Sequence, residues 1–180
     1  MVKYFLNQGA DLHFGDIDLL ELVNNEYNNI GIIKYLFKEG GDQRDAPLIW
    51  AASNGHLDVV KYLVEQGADL HDQALRSAAA NGHLSVVKYL VEQGADLHAF
   101  GEDALGWAAA NGHLDVVKYL VEQGADLHAV DERALRLAFR NKKNNVVKYL
   151  IDQGADANAI GIYEKLRGFT NLDWMLNKFW

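Results

Sequence analysis

Seven histidines and a recurrent aspartate are the residues of this chain whose types suit them to chemistry. The histidines fall at two places in a recurring pattern: His13, His71, His98 and His128 follow Asp-Leu, and His56, His83 and His113 follow Asn-Gly. Imidazoles and carboxylates at regular distances would suit metal ligation or proton exchange. The regularity points elsewhere. A metal needs ligands converging at roughly 2 Å on one ion, and a catalytic group is expected once, in a convergent site. Residues that return in every unit serve the unit. The histidines are therefore expected to hydrogen-bond nearby backbone and close the turn or loop. Asp69, Asp96, Asp126 and Asp156, each after Gly-Ala, are expected to accept backbone hydrogen bonds in the connecting loop.

No other pattern supplies a reaction. There is no phosphate-binding loop, no Gly-Xaa-Ser-Xaa-Gly and no zinc-protease motif, and Gly40-Gly41 before Asp42 reads as a helix stop. The 180 residues include no cysteine, which excludes disulfides, thiolate-bound zinc, iron–sulfur ligation and a cysteine nucleophile. The expectation is a chain with no enzymatic activity, no metal, no cofactor and no small-molecule substrate. With 17 basic against 25 acidic residues and a net charge of -8, nucleic acid is not the expected partner. No apolar run approaches the roughly 20 residues that cross a bilayer, and the residues after Met1 have no signal-peptide character. The expected location is the cytoplasm, off the membrane.

The elements that must position these residues are repeats. The phrase Val-Lys-Tyr-Leu-Val-Glu-Gln-Gly-Ala-Asp-Leu-His stands unchanged at residues 60–71, 87–98 and 117–128, with weaker copies at 2–13, 33–42 and 147–158. Taking the Lys before Tyr as register, the steps are 31, 27, 27, 30 and 30 residues. The shorter steps lack three residues just before an Ala-Leu pair. Length varies in loops while the periodic segments stay constant, as stacked repeats require.

Each unit reads as two short helices. The first is predicted over residues 103–111, with Asp103 able to cap it and alanines permitting close approach. Its counterparts are 47–54, 73–81 and 133–141. Pro47 suits a first helical turn, and Gly55, Gly82 and Gly112 suit tight turns. The second helix is predicted over 114–123. Leu114, Val117, Leu120 and Val121 form its inward stripe, with Lys118 and Glu122 paired outside. Gly124 stops it. One such unit is too small to own a core, so each must bury its apolar face on the next.

The pattern closely resembles the ankyrin-repeat family. The carrying pieces are Ala46-Pro-Leu-Ile-Trp-Ala-Ala-Ser-Asn-Gly-His56, Asp103-Ala-Leu-Gly-Trp-Ala-Ala-Ala-Asn-Gly-His113 and the Val-Val-Lys-Tyr-Leu-Val-Glu-Gln-Gly-Ala-Asp copies, together spanning about residues 2–158. The family's Thr-Pro-Leu-His box is incomplete in every unit, its His position holding Ile49, Arg76, Gly106 or Arg136. The 30-residue period resembles that of ankyrin proteins of giant amoeba-infecting viruses, which would place this chain in a host cytoplasm. The irregular units favour a natural chain over a consensus design. The fold implied is all-α, a solenoid of stacked helix-turn-helix units with short loops or hairpins. It forms a single domain: a half-unit at 1–13, repeats at about 14–42, 43–69, 70–96, 97–126 and 127–156, and a C-terminal cap at about 157–180. The beginning is read as a capping half-unit or the edge of a fragment. The aromatic C-terminus is read as a cap, a docking surface or a self-contact.

Such a family implies a non-catalytic module that binds a protein partner through loop tips and the concave face of its first helices. The residues expected to do so are those that differ between copies: Arg44, Ile49, Trp50, Arg76, Ser77, Phe100, Trp107, Arg133, Arg136 and Arg140. Tryptophan beside arginine has the composition of an interface hot spot, and the competing reading has Trp50 and Trp107 filling gaps between units. Arg133, Arg136 and Arg140 lie three and four apart, with Lys142 and Lys143 nearby. They are expected to form a basic stripe suited to an acidic peptide or phosphate groups. The alternative function is an architectural stack that self-associates weakly through its ends.

Overall fold

The computed structural model of the chain describes residues 45–69, 71–99 and 102–161, and in that region the fold is all-α. The helices come in pairs: α1 Asp45–Ser53 with α2 Leu57–Glu65, α3 His71–Ala80 with α4 Leu84–Glu92, α5 Asp103–Asn111 with α6 Leu114–Glu122, and α7 Ala129–Arg140 with α8 Asn144–Asp152. Each first helix packs on the next first helix, α1 on α3, α3 on α5 and α5 on α7, and the second helices form a parallel row behind them. The half-unit at 1–13, the unit at 14–42 and all but the start of the C-terminal cap lie outside the described residues.

The stack is held by columns of identical residues. Leu48, Leu75, Leu105 and Leu135 are each at most 1% exposed, as are Leu63, Leu90, Leu120 and Leu150 in the second row. Between the rows lie Ala51, Ala78, Ala108 and Ala138, buried completely. A methyl group is the largest side chain that lets helices approach this closely without forcing them apart. In α6 the buried stripe is Val116, Val117 and Leu120, whereas Leu114 and Val121 are only half-buried. The inward face is thus rotated by about one residue from the predicted stripe. Both valines of each Val-Val pair enter the core, because the second helix is covered from two sides, by its own partner and by the neighbouring pair.

The turns show why the repeated polar residues return. Gly82 sits at φ +78°, and a Cβ there would land on the ring of His113 from the next unit. His113 Nε2 donates to the Ala80 carbonyl at 3.1 Å, and His83 Nε2 donates to the Ser53 carbonyl at 2.9 Å. Asn111 and Asn141 donate to the carbonyls of Ala80 and Ala110 in the same direction. These side chains cap the carbonyl end of the preceding unit's first helix rather than closing their own turn. The expected Lys118–Glu122 pairing gives way in the same manner: Lys118 Nζ lies 5.7 Å from the ring centroid of Tyr149, one unit on. Lys61 over Tyr89 and Lys88 over Tyr119 repeat the contact at 5.8 and 5.5 Å.

Candidate interaction face

The first helices present one column of side chains per position to the outer side of the stack. Trp107 is the one large aromatic residue described on these helices that is exposed, at 42%. Trp50, in the equivalent column of α1, is half-buried, packs on the core and tilts against His56 at 5.2 Å between ring centroids. The two readings of the tryptophans thus divide between them, one filling space and one facing out. Both tryptophans stand six residues before a histidine; the ring of His56 lies against Trp50, whereas His113 bonds the Ala80 carbonyl of the preceding unit. Ile49, Arg76, Ser77, Arg136 and Leu137 are half-exposed around this row, and Arg140 is exposed. Arg44 and Phe100 lie outside the described residues.

Charge on this face is organised across units. Arg133 on α7 donates to Asp103 Oδ1 on α5, and Arg76 on α3 stands 3.6 Å from Asp103 Oδ2. Asp103 therefore bridges three successive first helices and does not cap its own. The residue before α5 is Glu102, in left-handed backbone and without a side-chain cap. Gly106 lies beneath this arrangement, and a Cβ there would make ordinary contact with Leu137 Cδ1 at 3.6 Å and Arg133 Nε at 3.7 Å. Arg136 donates to the Val130 carbonyl at 2.7 Å. Of the expected basic stripe, Arg133 is neutralised by Asp103 and Arg136 is tied to a loop, while Arg140 points to the surface.

The loop tips hold features not read from the sequence. Val130, Asp131 and Glu132 all have positive φ, 49°, 54° and 60°, and form a left-handed turn at the start of α7 before regular helix begins at Arg133. Val130 stands 56% exposed at the tip. Left-handed backbone is disfavoured for a β-branched residue, so surrounding contacts must hold it. Arg136 donates to the Val130 carbonyl, and the turn ends on Glu132, which like its counterpart Glu102 is buried, at 6% and 5% exposed. Glu102 Oε1 accepts from His98 Nδ1 and, at 3.1 Å, from the backbone N–H of Asp126 in the next unit. Glu132 likewise accepts from His128 Nδ1. In the unit that lacks the three loop residues, Asp72 Oδ1 accepts from the Asp96 N–H at 2.8 Å. Both glutamates stand in a column that differs between copies, yet both are buried, and Glu102 stitches its unit to the next. The signal was present: Asp72, Glu102 and Glu132 stand at one offset before Ala-Leu.

The histidines follow their partners. The hydrogen bond and charge of Glu102 push the His98 pKa above its usual value, and Glu132 does the same for His128. Burial, with a smaller contribution from His83, lowers that of His56. The aspartates after Gly-Ala accept as expected: Asp96, Asp126 and Asp156 each take the backbone N–H two residues on, at 2.9 Å. Among the described residues no group of three or more histidines and acids stands where it could hold a metal ion. No helix there is long and apolar enough to cross a membrane.

A helix-pair stack whose repeated polar residues bond unit to unit defines a structural repeat protein with a variable outer face. The chain belongs to the ankyrin-repeat family: the family described as ankyrin repeats (3 copies) matches residues 1–74, 19–100 and 75–160. A search of curated proteins finds no match. Ankyrin repeats form a non-catalytic family that generally serves as a scaffold for protein interactions.

Proposed function

We propose that the row of first helices, with the loop tips beside it, binds a protein partner centred on Trp107. Support comes from one observation above all: Trp107 is 42% exposed on a helix where most of its neighbours are fully buried. A large aromatic held out by a rigid helix costs little further entropy on binding and is the usual anchor of an interface. Around it Ile49, Trp50, Arg76, Ser77, Arg133 and Arg136 supply apolar rim and guanidinium groups. Phe100 and Arg44 extend the surface at the level of sequence, and Arg140 closes its far edge. The 30-residue period and the repeated phrase support a kinship with the ankyrin proteins of giant amoeba-infecting viruses. The working location is then a host cytoplasm.

Affinity capture from an extract of the cells that make the protein, or of their host, tests the reading. A partner retained by the unaltered chain and lost with Trp107→Ala and Arg136→Ala, at unchanged helical circular dichroism, supports it. Retention by both variants refutes the face. A stack that associates end to end predicts a different outcome: sedimentation mass rising with concentration and indifferent to Trp107→Ala.

A further inference from the structure

We propose that the turn between α7 and α8, which meets the first-helix face at Arg140, is a second docking site, for an acidic polypeptide segment of another protein, carried by Lys142 and Lys143 together with Arg140. In the three preceding described units this turn reads Gly55-His-Leu-Asp58, Gly82-His-Leu-Ser85 and Gly112-His-Leu-Asp115, and here it reads Lys142-Lys-Asn-Asn145. Every one of the four changes gives up a structural advantage that the Gly112–Asp115 turn keeps.

The glycine column has φ of 74°, 78° and 87°, and Lys142 takes φ 58° in its place, a backbone region that disfavours any residue with a Cβ. The next column loses an inter-unit hydrogen bond. His83 and His113 donate to carbonyls of the preceding helix, whereas the matching carbonyl, that of Ala110, receives the Asn141 amide. Lys143 instead runs its stem past Gly112. In the third column Leu57, Leu84 and Leu114 pack on the core, and Asn144 is exposed. In the fourth, Asp58 and Asp115 favour the first turn of their helices through the helix dipole, and Asn145 carries no charge. Relative to the Gly112–Asp115 turn, the four positions pass from one negative charge to two positive ones.

Arg140 adds a third cation where the other units have Ser53, Ala80 and Ala110. It is exposed, as are Lys142, Asn141, Asn144 and Asn145. Residues 133–148 hold six of the chain's 17 basic residues and no acid, in a molecule of net charge -8, and one of the six, Arg133, is taken up by Asp103. Such a patch attracts an anion locally while the rest of the surface repels one. Long polyanions and anionic membranes would meet that acidic remainder. A short acidic peptide would not, and the exposed amides offer it additional hydrogen bonds. No exposed aromatic is available here to stack a base, since Phe139 is packed against the core.

Fluorescence anisotropy of a labelled decaglutamate peptide at low ionic strength tests the site. The unaltered chain is expected to bind, with affinity falling as salt is added. Lys142→Gly/Lys143→His, which restores the turn of the other units, is expected to weaken binding about tenfold while its melting temperature stays the same or rises. Arg140→Ala is expected to weaken binding as well, and Trp107→Ala to leave it unchanged, which separates this site from the first-helix face. Equal binding by the Gly-His variant, equal binding of decaglutamine, or tighter binding of duplex DNA or phosphatidylserine vesicles would each overturn the proposal.

Discussion

His113 Nε2 donates to the backbone carbonyl of Ala80, so a side chain from one repeat finishes a helix in the repeat before it. Gly82 lies beneath the ring and is there for two reasons, its left-handed backbone and the space His113 fills. Gly94 shares the first reason only, at φ +90° with nothing within 4 Å of a Cβ. Gly94→Ala should therefore cost about 1 kcal/mol of backbone strain. Gly82→Ala should cost about 2–4 kcal/mol, strain plus a displaced histidine bond. Denaturant unfolding of the two variants side by side checks the difference, and equal losses would count against the inter-repeat role of His113.

Asp103 joins three helices through two arginines of unequal value. Arg133 has a side chain 27% exposed and bonds Asp103 directly, whereas Arg76 is 43% exposed at 3.6 Å. Asp103→Asn should cost about 1–3 kcal/mol by leaving a half-buried guanidinium without its counter-charge. Arg76→Ala should cost less than about 1 kcal/mol. Chemical denaturation distinguishes them, and a double-mutant cycle between Asp103 and Arg133 isolates their coupling.

The loop histidines make stability depend on pH in a stated direction. His98 and His128 are raised from 6.5 by Glu102 and Glu132, with Asp96, Asp126 and Asp156 adding smaller contributions. A raised pKa in the folded chain means the protonated pair stabilises fully below pH 6.5 and that this contribution is lost as pH rises through the folded value. Glu102→Gln/Glu132→Gln keeps an acceptor for the backbone but removes the charge. The gap in melting temperature between this variant and the unaltered chain should be widest on the acid side of neutrality and narrow as pH climbs. His56 titrates with the opposite sign but is present in both proteins, so it cancels in the comparison.

The lysine–tyrosine ladder is a third connection between repeats. Replacing Lys61, Lys88 or Lys118 by Met keeps the aliphatic stem and removes the cation, and each should cost about 0.5–1 kcal/mol. The same tyrosines, Tyr89, Tyr119 and Tyr149, have pKa values raised by burial and then by Glu65, Glu92 and Glu122. Spectrophotometric titration should find them ionising above the ordinary tyrosine value.

The helices were legible because repetition turns a weak local pattern into a strong one. Leucines, Val-Val pairs and glycine stops recur at one register, and tertiary structure respects it. What escaped was direction across the seam. A histidine in a turn, or Lys118 beside Glu122, looks locally satisfied, and only the stacked structure reveals partners about 30 residues away. The buried glutamates escaped for a related reason. Differences between copies suggest a surface free to vary, yet Asp and Glu at one column do the same work with side chains of different reach. The exposure of Trp107 against the half-burial of Trp50 was not readable either, because both precede a histidine by six residues and only the fold shows His56 lying against Trp50.

Asp72 reaches the amide of Asp96 and Glu102 that of Asp126, both 24 residues onward, although one loop is three residues shorter than the other. The extra residues, 99–101, enter upstream of the carboxylate and so never stretch the tie. Projecting tips can be trimmed, extended or exchanged like tool bits while the chuck that grips them is untouched. A lineage of such chains is thereby free to explore new contacts at its fingertips without renegotiating how its backbone stands.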